Sequence, residues 1–176
     1  MQVLTTAINE VKLIIPRVYE DERGYFFESW QQQRFADMIA PVTFVQDNQS
    51  LSKKGTLRGL HWQEEHPQDK LISVLSGAIF DVAVDIRPES PTYGKWVGET
   101  LSAENHRQLF IPKGFAHGFY VLSETAIVSY KCSDFYHPES ERSIRWDDPN
   151  LAIEWPIKGP PLLSAKDALA APFKVR

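Results

Sequence analysis

Along KLISVLSGAIFDVAVDIR, residues 70–87, apolar and polar side chains alternate with a period of two, and Ser76-Gly77 interrupts the run once. That period predicts strands, because successive side chains leave a pleated strand on opposite faces. The interruption predicts two strands joined as a hairpin. In the second strand Phe80, Val82, Val84 and Ile86 share one face, and Asp81, Ala83, Asp85 and Arg87 share the other. Shorter runs of the same kind recur. KLIIPRVYED (12–21) carries Pro16, which marks an edge or a bulge. VTFVQDNQS (42–50) is β-branched and aromatic before a polar end. WVGETLS (96–102) with RQLFIP (107–112), and GFYVLS (118–123) with AIVSYKCSDFY (126–136), read as two further strand pairs. Twelve prolines and nine glycines leave room for few helices; ESWQQQRFADMIA (28–40) and SAKDALAA (164–171), with Ser164 as its cap, are the candidates.

Many short strands with turn signals at intervals of about 8–12 residues predict an all-β sandwich or barrel. No linker or repeat divides the chain, so residues 1–176 are expected to form a single domain. Asp81, Asp85, Ser129, Lys131 and Ser133 lie on the central strands and point either into a cavity or out to solvent; periodicity leaves both open. A barrel with a partly polar interior would hold a pocket.

Composition narrows the function classes. With 19 basic and 23 acidic residues the formal net charge is -4, which argues against a whole-surface nucleic-acid footprint but not against one local cationic pocket. Cys132 is the single cysteine, so neither an intrachain disulfide nor a Cys-rich metal cluster can form, and a reducing compartment suits it. The N-terminus lacks the basic start and long apolar run of a signal peptide. No window approaches the roughly 18 apolar residues of a membrane span. The expectation is a soluble, cytoplasmic protein without membrane or nucleic-acid partners.

The densest candidate chemistry is GTLRGLHWQEEHPQDK (55–70), which places Arg58, His61 and Lys70 close in sequence. His61 could hold a metal, move a proton or fill space. A metal needs three or four ligands, and the i+2 position that shares the face of His61 in a strand is Gln63, a poor ligand. His117 and Glu64 could join His61 in a weak site, which ranks below proton transfer. His66 reads as part of an exposed turn, and His106 and His137 as surface residues. Packing competes with both: a lone histidine is commonly a hydrogen-bonded or surface residue, and Trp62, Phe110, Phe115 and Phe119 suit a core. Residues 58 and 61 have opposite parity on a regular strand, and Gly59 between them permits a bulge that would re-aim Arg58.

DERGYFFESW (21–30), FVQDNQS (44–50), LRGLHWQ (57–63), FDVAVDIR (80–87), IPKGFAHGF (111–119), YKCSDFY (130–136) and SAKDA (164–168) together resemble the dTDP-4-dehydrorhamnose 3,5-epimerase family. The motifs occur in order over almost the whole chain. The resemblance implies a cupin-type jelly roll with a few short peripheral helices, a homodimer whose sites are completed by the neighbouring subunit, and no metal or other cofactor. It implies a dTDP-linked 6-deoxy-4-keto sugar as substrate, inverted at C3 and C5. It also implies His61 as base, Asp167 as its partner, Tyr130 as acid and Lys70 as the active-site lysine. Arg23, Glu28, Gln46, Asp47, Asn48, Arg58, Lys70, His117, Glu141 and Lys166 match the nucleotide and sugar contacts. Tyr136 matches the aromatic that stacks on thymine, and Arg23 and Glu28 match contacts lent by the second subunit.

Those residue types suit carbon epimerisation. The C4 ketone acidifies both flanking C–H bonds, a histidine exchanges protons near neutrality, and a carboxylate steadies the charged imidazole. A cation such as Lys70 meets the enolate oxygen, and a phenol on the opposite face returns the proton. Lys131 or Lys70 would steady the phenolate, and the sequence does not rank them. Inversion at one centre only, a shift of the ketone between C3 and C4, and a non-enzymatic nucleotide-sugar sensor are the competing readings.

Overall fold

A computed structural model describes residues 1–174. In chain order the strands are β1 (Gln2–Thr5), β2 (Lys12–Ile15), β3 (Tyr19–Asp21), β4 (Gly24–Phe26), β5 (Gln46–Lys53), β6 (Leu57–Gln63) and β7 (Lys70–Ser76). They continue with β8 (Ala78–Asp85), β9 (Trp96–Ser102), β10 (Gln108–Ile111), β11 (Phe115–Val121), β12 (Thr125–Cys132) and β13 (Glu141–Ser143). Two short helices, α1 (Gln32–Met38) and α2 (Ala165–Ala168), lie outside the sheets. One sheet runs β1-β2-β10-β7-β12-β5 and faces a second that runs β13-β6-β11-β8-β9; β3 and β4 form a separate hairpin. Every strand pairing is antiparallel, as the cupin-type jelly roll requires.

Strands form within each run where the alternation predicts them, β1, β4 and β13 arise outside those runs, and the expected hairpins do not form. β7 and β8, β9 and β10, and β11 and β12 each belong to opposite sheets. At the first crossing Gly77 takes φ +76°, and a Cβ there would lie 2.1 Å from the carbonyl oxygen of Thr125. The chain thus passes between layers instead of folding back on itself. β7 finds its partners in β12 and β10, and β8 in β11 and β9. Near-neighbour alternation is the same for a hairpin and for a crossing strand, so the pattern located the strands without their partners.

Between the sheets pack Ile72, Val74, Ile79, Ala83, Leu109, Ile111, Phe115, Phe119, Val121, Ala126 and Val128, with Tyr130 at the margin. The Ile79–Ala83 face of β8 is therefore the inner one, and Asp81 and Asp85 point inward with it, both fully buried. The more apolar face, with Phe80, Val82, Val84 and Ile86, looks outward and is covered by Ile144, Leu151, Ile153, Trp155 and Phe173 of the C-terminal segment. Lys131 lies on the outer side of the other sheet, paired with Asp47 at 3.1 Å. Ser133 closes a loop by donating to Asp69 at 2.9 Å.

Other differences have local causes. The helix expected over 28–40 spans only Gln32–Met38, because Gln31 caps it and Trp30 turns away to pack 4.8 Å from the rings of both Phe35 and Phe44. Those aromatics cover Ile14, Leu71 and Phe110 on the outer face of the six-stranded sheet. That same packing occupies Val42 and Phe44, so pairing with β12 begins only at Gln46. Pro16 separates β2 from β3. The tail helix expected over 164–171 is one turn, capped by Ser164 as anticipated.

Asp85 shows how an inward carboxylate is tolerated. It accepts from the backbone N–H and guanidinium of Arg87, from Ser90 Oγ at 2.5 Å and from Thr92 Oγ1 at 2.6 Å. Burial pushes its pKa up, but these donors win and hold it at about 2, below the ordinary 3.8. A depressed carboxyl stabilises the fold above its unfolded pKa, and that contribution is lost as pH falls from about 4 to about 2. Asp85→Ala is expected to cost about 3 kcal/mol in urea unfolding at neutral pH. Its stability should also lose the part of the acid dependence that the native protein shows in that window.

Candidate active site

The site is organised by a bulge between β6 and β11. His61 pairs with His117, yet Arg58 pairs with Phe119, so three steps on one strand match two on the other. Gly59 takes φ +121°, and a Cβ on it would sit 2.5 Å from Gly118 Cα; one on Gly118 would sit 2.7 Å from the Arg58 carbonyl oxygen. Two bare backbones therefore meet where no side chain fits. The bulge that the glycine permits reverses the parity of Arg58 and aims it into the same cavity as His61. Its Nε donates to Ser52 Oγ at 2.9 Å.

Asp167 reaches His61 from the single turn of α2. Ser164 Oγ accepts from the Asp167 N–H at 3.1 Å, and Asp167 Oδ1 lies 2.5 Å from His61 Nε2. The second carboxylate oxygen faces the Gly59 N–H at 3.5 Å. Burial pushes the Asp167 carboxyl up, but hydrogen bonds from His61, Ser164 and Gly59 outweigh it and hold it below its ordinary value. An ionised Asp167 is thus fixed against one imidazole nitrogen while the ring keeps one edge toward the cavity.

His61, Lys70 and Tyr130 line both lobes of the cavity, which enclose about 410 and 710 Å³ of space open to solvent. One lobe adds Gln46, Asn48, Trp62, Gln63, Gln68, Tyr136 and Glu141; the other adds Ser50, Arg58, His117, Phe119 and Asp167. Tyr130 stands opposite Asn48 and Ile72, and burial raises its phenol above the ordinary range. Burial likewise lowers the Lys70 ammonium, against the pull of Cys132, Asp81 and Glu141. At the rim Glu141 accepts from Tyr136 Oη at 2.8 Å and pairs with Lys166. Burial raises the Glu141 carboxyl, yet these partners hold it below its usual value.

Three expected contacts lie elsewhere on the chain. Arg23 sits at the tip of the β3–β4 hairpin, 86% exposed and bound to Asp21. Glu28 pairs with Arg34 at 3.2 Å beside α1. Asp47 faces outward with Lys131, which also leaves Lys70 as the lysine that shares the cavity with Tyr130. Glu64 does not join His61 and His117; it pairs with Arg142 at 2.9 Å. Sequence reasoning missed the role of Asp81, whose Oδ1 holds His117 Nε2 at 2.7 Å while Oδ2 has no partner. Its signal was an aspartate sharing a strand face with Ala83 and so bound to need a donor. It also missed Ser50, whose buried hydroxyl is unpartnered.

Residues 5–174 match the family described as dTDP-4-dehydrorhamnose 3,5-epimerase. A dTDP-4-dehydrorhamnose 3,5-epimerase of Salmonella typhimurium is 58% identical over 97% of this chain and 94% of its own length. One from Neisseria gonorrhoeae is 54% identical over 95% of this chain, which spans only 51% of that relative. Among solved structures, the dTDP-6-deoxy-D-glucose-3,5-epimerase of Legionella pneumophila Philadelphia 1, in complex with dTDP-4-keto-L-rhamnose, is 57% identical. It superposes with a TM-score of 0.96 over 97% of this chain and 92% of that one.

The glycine contact makes a prediction independent of any reaction. Gly59→Ala should push β6 away from β11 and destabilise the fold by more than about 1 kcal/mol, read from thermal or urea unfolding. A conserved stability in that variant would mean that the bulge does not need its glycine.

Proposed function

The chain belongs to the dTDP-4-dehydrorhamnose 3,5-epimerase family and is an isomerase; from that premise we propose that it inverts C3 and C5 of dTDP-4-dehydro-6-deoxy-D-glucose, giving dTDP-4-dehydro-L-rhamnose for rhamnose synthesis. The observation that carries the reading is the convergence of an Asp167-held His61, Lys70 and Tyr130 on one cavity. A sensor of nucleotide sugars would have no use for a buried carboxylate locked onto an imidazole that faces the ligand.

In the proposed reaction the ring nitrogen of His61 not held by Asp167 takes the proton from carbon. The C–H electron pair moves into the enolate, and the C4 oxygen gains charge beside Lys70. Tyr130 then gives its proton to the opposite face of the same carbon, and solvent restores both residues. The pKa directions fit: burial keeps the phenol protonated and makes the ammonium the readier donor toward oxygen. Arg58 is assigned to the diphosphate, for which a guanidinium offers paired charge-assisted hydrogen bonds. Gln46, Asn48, His117, Glu141 and Lys166 are assigned to the sugar and nucleoside, and Tyr136 to the thymine face.

Arg23 and Glu28 are assigned to the site of a neighbouring subunit in a homodimer. In support, the β3–β4 hairpin that carries Arg23 projects Tyr25 and Phe26 into solvent, Phe26 at 72% exposure. The reading takes residues 1–176 as one catalytic domain, working in the cytoplasm without metal or other cofactor. Among the described residues no helix is long and apolar enough to cross a membrane.

The decisive experiment is turnover of the 4-keto substrate in deuterated water. Label is expected at both C3 and C5; label at one carbon would make the chain a single-centre epimerase, and a ketone moved to C3 would make it a ketoisomerase. His61→Asn should lower kcat by about 100- to 10,000-fold while dTDP affinity stays within a few-fold. Arg58→Ala should instead weaken dTDP binding, measured by calorimetry, by about 10-fold or more.

A further inference from the structure

His66 and His137, which the sequence assigns to separate surface turns, are brought face to face at the lip of the cavity. Their rings stack with centroids 4.0 Å apart and 16° between planes. Asp134 joins them, with Oδ2 3.7 Å from His66 Nδ1. One donor atom from each of the three residues lies within 4.8 Å of the other two. We propose that His66, Asp134 and His137 form a binding site for a zinc-class divalent ion, separate from the epimerisation machinery.

Three features argue for a built site. First, the backbone is fixed: Gln63 Nε2 donates to the carbonyls of His66 at 2.7 Å and Phe135 at 3.1 Å, while Gln63 Oε1 accepts from the His137 N–H at 2.7 Å. Gln68 Nε2 adds a bond to the Asp134 carbonyl at 2.8 Å. Two loops that are distant in sequence are thereby held in register without using the imidazoles. Second, His66 takes φ +61°, a backbone region a side chain rarely occupies, and that is the conformation the ring has above His137. Third, Glu139 Oε1 lies 3.2 Å from His137 Nδ1. A carboxylate on one ring nitrogen fixes the tautomer and leaves the other nitrogen as a metal donor.

Two imidazoles and a carboxylate suit zinc with one coordination position left to water. Tetrahedral bonds of about 2.0–2.1 Å place donors roughly 3.3–3.5 Å apart, so closure needs a rotation of side chains that are part-exposed. The ion would join residues 66 and 134–137, the second of which carries Tyr136, and so would tie the lip of the pocket together. No step of the proposed reaction passes through it.

The test uses the full chain stripped of metal and titrated with ZnCl2 by calorimetry. Saturable binding of about one Zn2+ per chain is expected, at least about 10-fold weaker in both His66→Ala and His137→Ala. Co2+ should give the visible absorption band of a tetrahedral site in the native chain and not in either variant. Zn2+ should raise the thermal midpoint of the native chain alone, and circular dichroism checks that the variants are folded. No saturable binding by the native chain, or equal affinity and an intact cobalt band in both variants, would overturn the site. Neither result depends on turnover, so the epimerase reading stands or falls separately.

Discussion

The contact between the bare backbones of Gly59 and Gly118 is the constraint on which the site rests. Strands at ordinary spacing carry side chains that alternate strictly, and on such a strand Arg58 and His61 would face opposite sides. The glycines let β6 and β11 approach to where a Cβ would overlap neighbouring backbone, and the register slips by one residue. That slip turns Arg58 toward the cavity and leaves the Gly59 N–H facing Asp167. One local defect in a regular ladder therefore selects which cation enters the pocket and helps hold the carboxylate opposite.

Asp167 also depends on packing far from the cavity. The segment that leads to and follows α2 places Ile144, Leu151 and Phe173 over Val82 and Val84 on the outer face of the five-stranded sheet. Phe173 is further fixed through its N–H, which donates to the buried Asp148 at 2.8 Å. The apolar cover that shields the sheet from water thus sets the path of the chain that carries the carboxylate to His61. Loosening that cover would disturb the dyad with no change in either of its members.

How much of this was legible varies with range along the chain. Period-two alternation located most of the strands, and Gly59 marked where a bulge was permitted, because both are properties of adjacent residues. The inner and outer faces of β8 were not separable, since both are buried and the more hydrophobic one is covered by a segment about seventy residues away in sequence. Strand partners were misread as hairpins for the same reason: the jelly roll sends Ser76 and Ala78 into different sheets across one glycine. The His61–Asp167 contact, the Asp81–His117 contact and the stacking of His66 on His137 join residues that no local rule connects. The first was anticipated only through resemblance to a family, and the other two not at all.

Within the cavity a single physical cause separates two groups that start almost level. In water a lysine ammonium and a tyrosine phenol release protons at similar pH, near 10. Loss of solvent penalises whichever form is charged, so the same burial lowers Lys70 and raises Tyr130. The ammonium gives up its proton more readily than that of a free lysine, and the phenol holds its proton more tightly than that of a free tyrosine. Under the proposed reaction these opposite shifts suit the tasks. A mobile proton or positive charge is placed beside the oxygen where negative charge first collects, and a neutral phenol is kept in reserve until a basic carbon is present to take its proton. Burial within the jelly roll thus drives two groups of nearly equal reference acidity in opposite directions, because one is charged when protonated and the other when deprotonated.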